Sequence, residues 1–150
     1  MELPVRVLFV CVGNCVRSQM AEAIARSIAR EIILAESAGV HPLGFIDPTT
    51  QEVLREESVP FDGQFSKGLH NHDLSLPQLI VNMSGMPGER LFHGKPFEDW
   101  QVSDPFGESI ETHRRIFQEI KKRIGDLAVR LRAAAGGDEN PGANANSASG

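Results

Sequence analysis

Val5-Arg6-Val7-Leu8-Phe9-Val10 is a β-prone apolar run that breaks at Gly13-Asn14, and helical spacing takes over from Ser18. A run of this kind, stopping at a glycine-containing loop, reads as a strand buried on both faces, as in a parallel sheet. In the segment that follows, Met20, Ile24, Ile28 and Ile32 fall four apart while Glu22, Arg26 and Arg30 take other faces, the pattern of an amphipathic helix. Ile32 to Ala38, closed by Gly39, then reads as a second strand. Strand, helix and strand make a βαβ unit with a right-handed crossover, and this start commits the chain to an open parallel α/β sheet. Such sheets place ligands at the carboxyl ends of their strands.

The rest of the chain continues the alternation. Asp47-Pro48 reads as an N-cap with proline at the first helical position, opening a helix through about Ser58 on the apolar side of Val53 and Leu54. Residues 60–76 are rich in turn formers, with one helical turn expected near Ser66 to Leu69. Leu79 to Met83 is the third strand, with Met83 in the core and Met83 to Gly88 turning beside the pocket; Asp99 to Val102 is the fourth. A long helix follows Gly107, with Ile110, Phe117, Ile120, Ile124, Leu127 and Leu131 on one face. Its basic residues Lys121, Lys122, Arg123, Arg130 and Arg132 lie late, where they complement the helix dipole as a solvated face. From Gly136 no apolar residue exceeds alanine. The expected division is therefore one domain over 1–135 and a disordered tail over 136–150.

Composition narrows the function. At 150 residues, with 41% apolar and 23% charged residues, the chain has the make-up of an ordinary globular domain. A net charge of -5 speaks against nucleic acid or an acidic membrane as a partner, because polyanion affinity needs clustered cations. Two cysteines four residues apart do not form a secreted disulfide framework, and the Val5–Val12 run is too short for a membrane span or a signal peptide. A cytoplasmic protein is expected, as a monomer or weak dimer. His70-Asn71-His72-Asp73 lacks the further spacing of a metal site, and neither metal nor cofactor is expected.

The chemistry is concentrated in Cys11-Val12-Gly13-Asn14-Cys15-Val16-Arg17-Ser18. Between a strand end and a helix start, unpaired backbone N–H groups form a nest suited to a tetrahedral oxyanion. Gly13 permits close approach and Asn14 enters the left-handed region cheaply. Val12, Cys15 and Val16 complete the expected phosphate-binding loop. Arg17 offers a planar fork for two oxygens, and with the loop amides it favours a thiolate at Cys11, a nucleophile for phosphorus or arsenic. Ser18 suits a hydrogen bond to that sulfur, a helix cap, or both. Breaking a phosphate ester also needs a carboxyl group as general acid and then base, and the residues alone leave Asp47, Asp62, Asp73, Asp99 and Asp104 open.

"VLFVCVGNCVRSQMAEAIA", "ESAG" at Glu36 to Gly39, Asp47-Pro48 and "DWQVSDPFG" at Asp99 to Gly107 together resemble the low-molecular-weight protein tyrosine phosphatase superfamily, which includes the thioredoxin-coupled arsenate reductases. The resemblance implies a four-stranded parallel sheet flanked by helices, the phosphotyrosine protein phosphatase I-like, flavodoxin-like three-layer α/β/α fold. It also implies a phosphocysteine intermediate, and it selects Asp104, before Pro105, as the acid. Cys11, Arg17, Ser18 and Asp104 are the implied catalytic set.

Three departures bear on substrate. Phosphatases of this group carry their second loop cysteine just before the arginine, where this chain has Val16; Cys15, one place earlier, reads as a small buried or rim residue or as a disulfide partner of Cys11. "SQMAE", "SAGVHPLG" and "EDW" resemble the arsenate-reductase branch, yet "NMSGMPGERLF" has Ser84 and no cysteine, which rules out an internal disulfide relay. No tyrosine follows the Asp-Pro; Phe106 stands there, either as an apolar wall of the mouth or as a core residue. The expected activity is hydrolysis of phosphotyrosine or other aryl phosphates, on a small molecule or a phosphotyrosine protein. The alternatives are arsenate reduction with an external thiol or glutaredoxin, and a non-catalytic phosphate-binding module.

Overall fold

The computed structural model describes residues 1–139. Four strands, β1 (Val5–Cys11), β2 (Ile33–Gly39), β3 (Leu79–Asn82) and β4 (Phe97–Asp99), form one sheet in the order β2-β1-β3-β4. All neighbours are parallel, with Cys11 opposite Gly39 and Val10 opposite Asn82. The helices are α1 (Arg17–Ile28), α2 (Pro48–Glu56), the short α3 (Gly88–Leu91) and α4 (Ile110–Glu139), with a 3-10 turn at Leu69–Asn71.

β1 is central, and its alternate side chains feed two cores. Val5, Val7, Phe9 and Cys11 face a large cluster built with Met20 and Ile24 of α1, Val53 and Leu54 of α2, and Ile116, Phe117, Ile120, Ile124 and Leu127 of α4. Leu8 and Val10 face a smaller cluster with Ala38, Ile80 and Phe92, against which Leu69, Leu91 and Phe97 pack. The period of two along β1 thus divides the sheet into a face under three helices and a face under α3 and the 3-10 turn. This is the expected three-layer α/β/α architecture.

Several boundaries differ from the sequence reading. β4 spans Phe97–Asp99 rather than Asp99 to Val102. Trp100 and Val102 are buried, but as parts of a departing loop: Trp100 donates its backbone N–H to the Asn82 carbonyl (2.8 Å) and its ring lies 6.2 Å from that of Phe9. Burial without ladder pairing mimics a strand in sequence. α1 ends at Ile28, which is 48% exposed, and Ile32 packs from the turn before β2 instead of extending the helical face. α3, four residues long, is too short to show an amphipathic repeat in the sequence. α4 continues to Glu139, so the expected tail starts as helix over 136–139, and residues 140–150 lie outside the described residues. No basic residue therefore occupies the last turn of α4. Arg130 instead holds Glu98 by two hydrogen bonds (2.8 and 3.0 Å), Arg123 reaches the Gln101 carbonyl, and Lys122 pairs with Asp126.

One buried ion cluster ties α1 to β2 and to the 60–76 segment. Glu22, 3% exposed, accepts from Ser37 Oγ and pairs with Arg26 (2.6 Å) and Lys67 (3.4 Å). Burial pulls the Lys67 ammonium below the ordinary lysine range, with Glu22 opposing that shift. Removing one member of such a cluster leaves an uncompensated buried charge. Glu22→Ala is expected to lower unfolding free energy by about 3 kcal/mol, measured by urea titration, whereas Arg26→Ala, at the exposed end of the pair, is expected to cost less than about 1 kcal/mol.

Candidate active site

The loop from Cys11 to Arg17 is held from outside by its own carbonyls. Cys11 O, Val12 O, Gly13 O and Cys15 O accept from the N–H groups of Val40 (3.1 Å), His41 (2.8 Å), Leu43 (3.0 Å) and Asp47 (3.0 Å), and Asn14 O accepts from Gln19 Nε2 (3.1 Å). In a trans peptide the carbonyl and the following N–H point opposite ways. Anchoring these carbonyls outward turns the N–H groups of Val12 to Val16 toward the other side, and those of Gly13 to Val16 find no acceptor among the described residues. The result is the concave donor surface expected of an oxyanion site.

Asn14 makes the turn possible. Its φ of 49° lies in the left-handed region, and its side chain, fully buried, donates to Ser18 Oγ (2.7 Å) and Ser37 Oγ (3.0 Å) while accepting from the Lys67 N–H (2.7 Å). Gly39 serves the same loop by having no side chain: a Cβ there would sit 2.7 Å from the Val12 carbonyl oxygen and 2.8 Å from the Asn14 nitrogen. The sequence reading used Asn14 for its backbone and passed over Glu22, Ser37, Gln19 and Lys67, whose connection exists only across β2 and the 60–76 segment.

Cys11 Sγ lies 2.9 Å from Ser18 Oγ. Ser18 sits inside α1, whose N-cap position is Val16 and whose start has no side-chain cap bond, so its hydroxyl meets the sulfur and not the helix end. Arg17 is 5% exposed and fixed at its far side: Nη1 donates to Met83 O and Val102 O (3.1 Å), and Nη2 lies 3.4 Å from Asp104 Oδ2. Its Nε is buried with no partner among the described residues. The Met83–Gly88 turn thus acts on the guanidinium through the Met83 carbonyl rather than by lining the cleft, with the Met83 side chain in the core as expected. Asp104 is half-exposed and accepts from the Phe106 N–H (3.1 Å).

These groups share a cleft of about 240 Å³ lined by Cys11, Val12, Gly13, Cys15, Val16, Arg17, Asp104 and Phe106. Ser18 and Asn14 stand behind the loop, outside the lining. Phe106 is 46% exposed at the mouth, so it is a wall and not a core residue. His41 and Leu43 also line the cleft and were missed; their alternation after Gly39 was the available signal. Cys15 is free, buried, and its thiol is pushed up to about 12, first by burial and then by negative charge at Cys11, Asp47 and Asp104, with Arg17 opposing. No group of three or more His, Cys, Asp or Glu able to hold a metal occurs among the described residues. No helix among them is long and apolar enough to cross a membrane.

The parallel sheet thus carries, at the end of its central strand, a loop of inward-facing amides on which a cysteine, an arginine and an aspartate converge. Residues 6–136 match the family described as low molecular weight phosphotyrosine protein phosphatase, and the chain belongs to that family. It is 30% identical over 130 residues to a glutaredoxin arsenate reductase of Synechocystis, covering 84% of this chain and 98% of that protein. It is 32% identical to the low molecular weight protein-tyrosine-phosphatase PtpB of Staphylococcus haemolyticus, covering 81% and 96%. Among solved structures, an arsenate reductase in the phosphate binding state superposes with a TM-score of 0.77 at 28% identity, covering 85% of this chain and 98% of that one. The relatives thus include both phosphatases and arsenate reductases.

Two outcomes follow from this geometry. Because thiols react as thiolates, Cys15 is expected to stay unmodified by iodoacetamide at pH 8 while Cys11 is alkylated, as read by peptide mass mapping. Gly39→Ala is expected to cost about 1–3 kcal/mol by overpacking and to weaken phosphate binding, as read by urea titration and calorimetry.

Proposed function

We propose that this protein hydrolyses phosphotyrosine or other aryl phosphates through a cysteinyl-phosphate. The observation that carries the reading is the convergence of Cys11, the unpaired amides, the Arg17 guanidinium and Asp104 on one cleft whose rim has two half-exposed apolar side chains, Leu43 and Phe106. The amides of Gly13 to Val16 and the free edge of Arg17 take the non-bridging oxygens, while Leu43 and Phe106 flank the ring. The Cys11 sulfur attacks phosphorus: an S–P bond forms, the P–O bond breaks, and its electron pair leaves on the aryl oxygen, which takes the proton of Asp104. Ser18, 2.9 Å from the sulfur, donates to it and makes it a better leaving group in the second step. Water then attacks phosphorus, giving its proton to the Asp104 carboxylate; the S–P bond breaks, and inorganic phosphate and free Cys11 return. Because Cys11 must be reduced, the reading places the protein in the cytoplasm. Residues 1–135 form the working domain and supply every group named.

A second reading is arsenate reduction. One observation favours it in a particular form: the chain has only two cysteines, and Cys15 is buried with its thiol held near 12. It therefore makes a poor resolving thiol, and the reductant would be an external thiol or glutaredoxin. This accords with the similarity to the Synechocystis glutaredoxin arsenate reductase.

Turnover of p-nitrophenyl phosphate beside arsenate with glutathione and glutaredoxin decides between the two. The expected result is phosphate release, abolished in Cys11→Ser and reduced in kcat by roughly 10²–10⁴ in Asp104→Asn. Thiol-dependent arsenite formation without phosphate release would reverse the assignment, and phosphate binding without either turnover would leave a binding module.

A further inference from the structure

His113, in the first turns of α4, is fully buried, and neither ring nitrogen has a hydrogen-bond partner among the described residues. An unsatisfied buried polar group costs on the order of 1–3 kcal/mol, so its presence requires a reason beyond packing. The group it meets is Asp47, whose Oδ2 lies 3.7 Å from His113 Nε2, beyond hydrogen-bond reach but within ion-pair distance when the ring is protonated. Asp47 occupies the N-cap position of α2, yet its side chain makes no capping bond, although aspartate there ordinarily satisfies the first free N–H groups. The carboxylate is turned off its own helix and toward α4. Thr50, one turn into α2, also has a buried hydroxyl without a partner.

The backbone of Asp47 links this contact to the loop. Its N–H donates to Cys15 O at 3.0 Å, and that carbonyl is the reciprocal of the Val16 N–H, the last of the inward-facing donors before Arg17. We infer that His113 is a positioning residue: by holding the Asp47 carboxylate it fixes the Asp47 N–H against the Cys15 carbonyl, and so aims the Val16 N–H into the oxyanion site. Without His113 the Asp47 side chain is free to swing back and cap α2. The Cys15–Val16 peptide then loses its outer anchor.

The inference rests on the phosphate-site reading for its effect on ligands, but not for its effect on the backbone. In His113→Leu, amide exchange at the Asp47 N–H is expected to accelerate, and the inhibition constant of inorganic phosphate to rise about tenfold with a much smaller change in thermal midpoint. His113→Gln, which restores a donor, is expected to recover phosphate inhibition to within about twofold. Asp47→Ala keeps the backbone N–H but loses the carboxylate. It is expected to match His113→Leu, and the double variant to lose no more than either single one. Equal phosphate inhibition and equal Asp47 exchange in His113→Leu and the wild type would overturn the inference, as would additive losses in the double variant. Should His113→Leu fail to fold, Asp47→Ala and His113→Gln decide it by the same two measurements. Should the wild type neither bind nor release phosphate, the functional reading falls, while Asp47 amide exchange still tests the positioning.

Discussion

The loop from Cys11 to Arg17 depends on hydrogen bonds made outside it. Five successive carbonyls, from Cys11 to Cys15, are each held from behind by Val40, His41, Leu43, Gln19 and Asp47, and each held carbonyl commits the next N–H to the inner side. The donor nest is therefore a consequence of where the chain runs after β2. Asn14 is the pivot: a left-handed residue whose side chain reaches Ser18, Ser37 and Lys67 at once. Through Ser37 that network joins the buried Glu22 cluster, so the loop is fastened to α1, β2 and the 60–76 segment together.

Arg17 shows the same logic on the other side of the cleft. Two carbonyls from separate parts of the chain, Met83 after β3 and Val102 after β4, grip one Nη of its guanidinium. Asp104 stands by the other. Because Asn82 also ties Met86 O and Asp99, the ends of β3 and β4 are locked as one support. A buried guanidinium fixed at its far edge keeps its remaining donors preorganised, which is worth more than the same group on a flexible stem. The rim of the cleft is formed by His41, Leu43 and Phe106, with Phe106 following the Asp104-Pro105 pair where no tyrosine stands.

Much of this could be read before folding was considered. The alternation of buried residues in β1, the helical spacing of Met20 and Ile24, and the face from Ile110 to Leu131 are local periodicities, and they report which side of an element meets a core. The C-x5-R loop is likewise local, because its cysteine and arginine lie within one short stretch between a strand and a helix. Local pattern cannot place β4, because Trp100 and Val102 are as apolar as strand residues yet lie outside the Phe97–Asp99 ladder. α4 continues through Gly136 and Gly137, the glycines that read locally as a helix stop. The place of Phe106, core or rim, is not a local property, because its exposure depends on where the loop carrying Asp104 meets Arg17.

By itself, then, the sequence determined the parallel α/β core, the cysteine and arginine of the loop, and the glycine and asparagine that let it turn; all depend on spacing within one element or on a residue's own φ preference. Only the tertiary structure decided that Ser18 faces the sulfur instead of capping a helix, that Cys15 is buried in the wall of the cleft, that His41 and Leu43 border the mouth, and that His113 stands beside Asp47. These pairings join residues up to 66 positions apart, as with His113 and Asp47, and no short-range pattern records a contact made by packing α4 against α2.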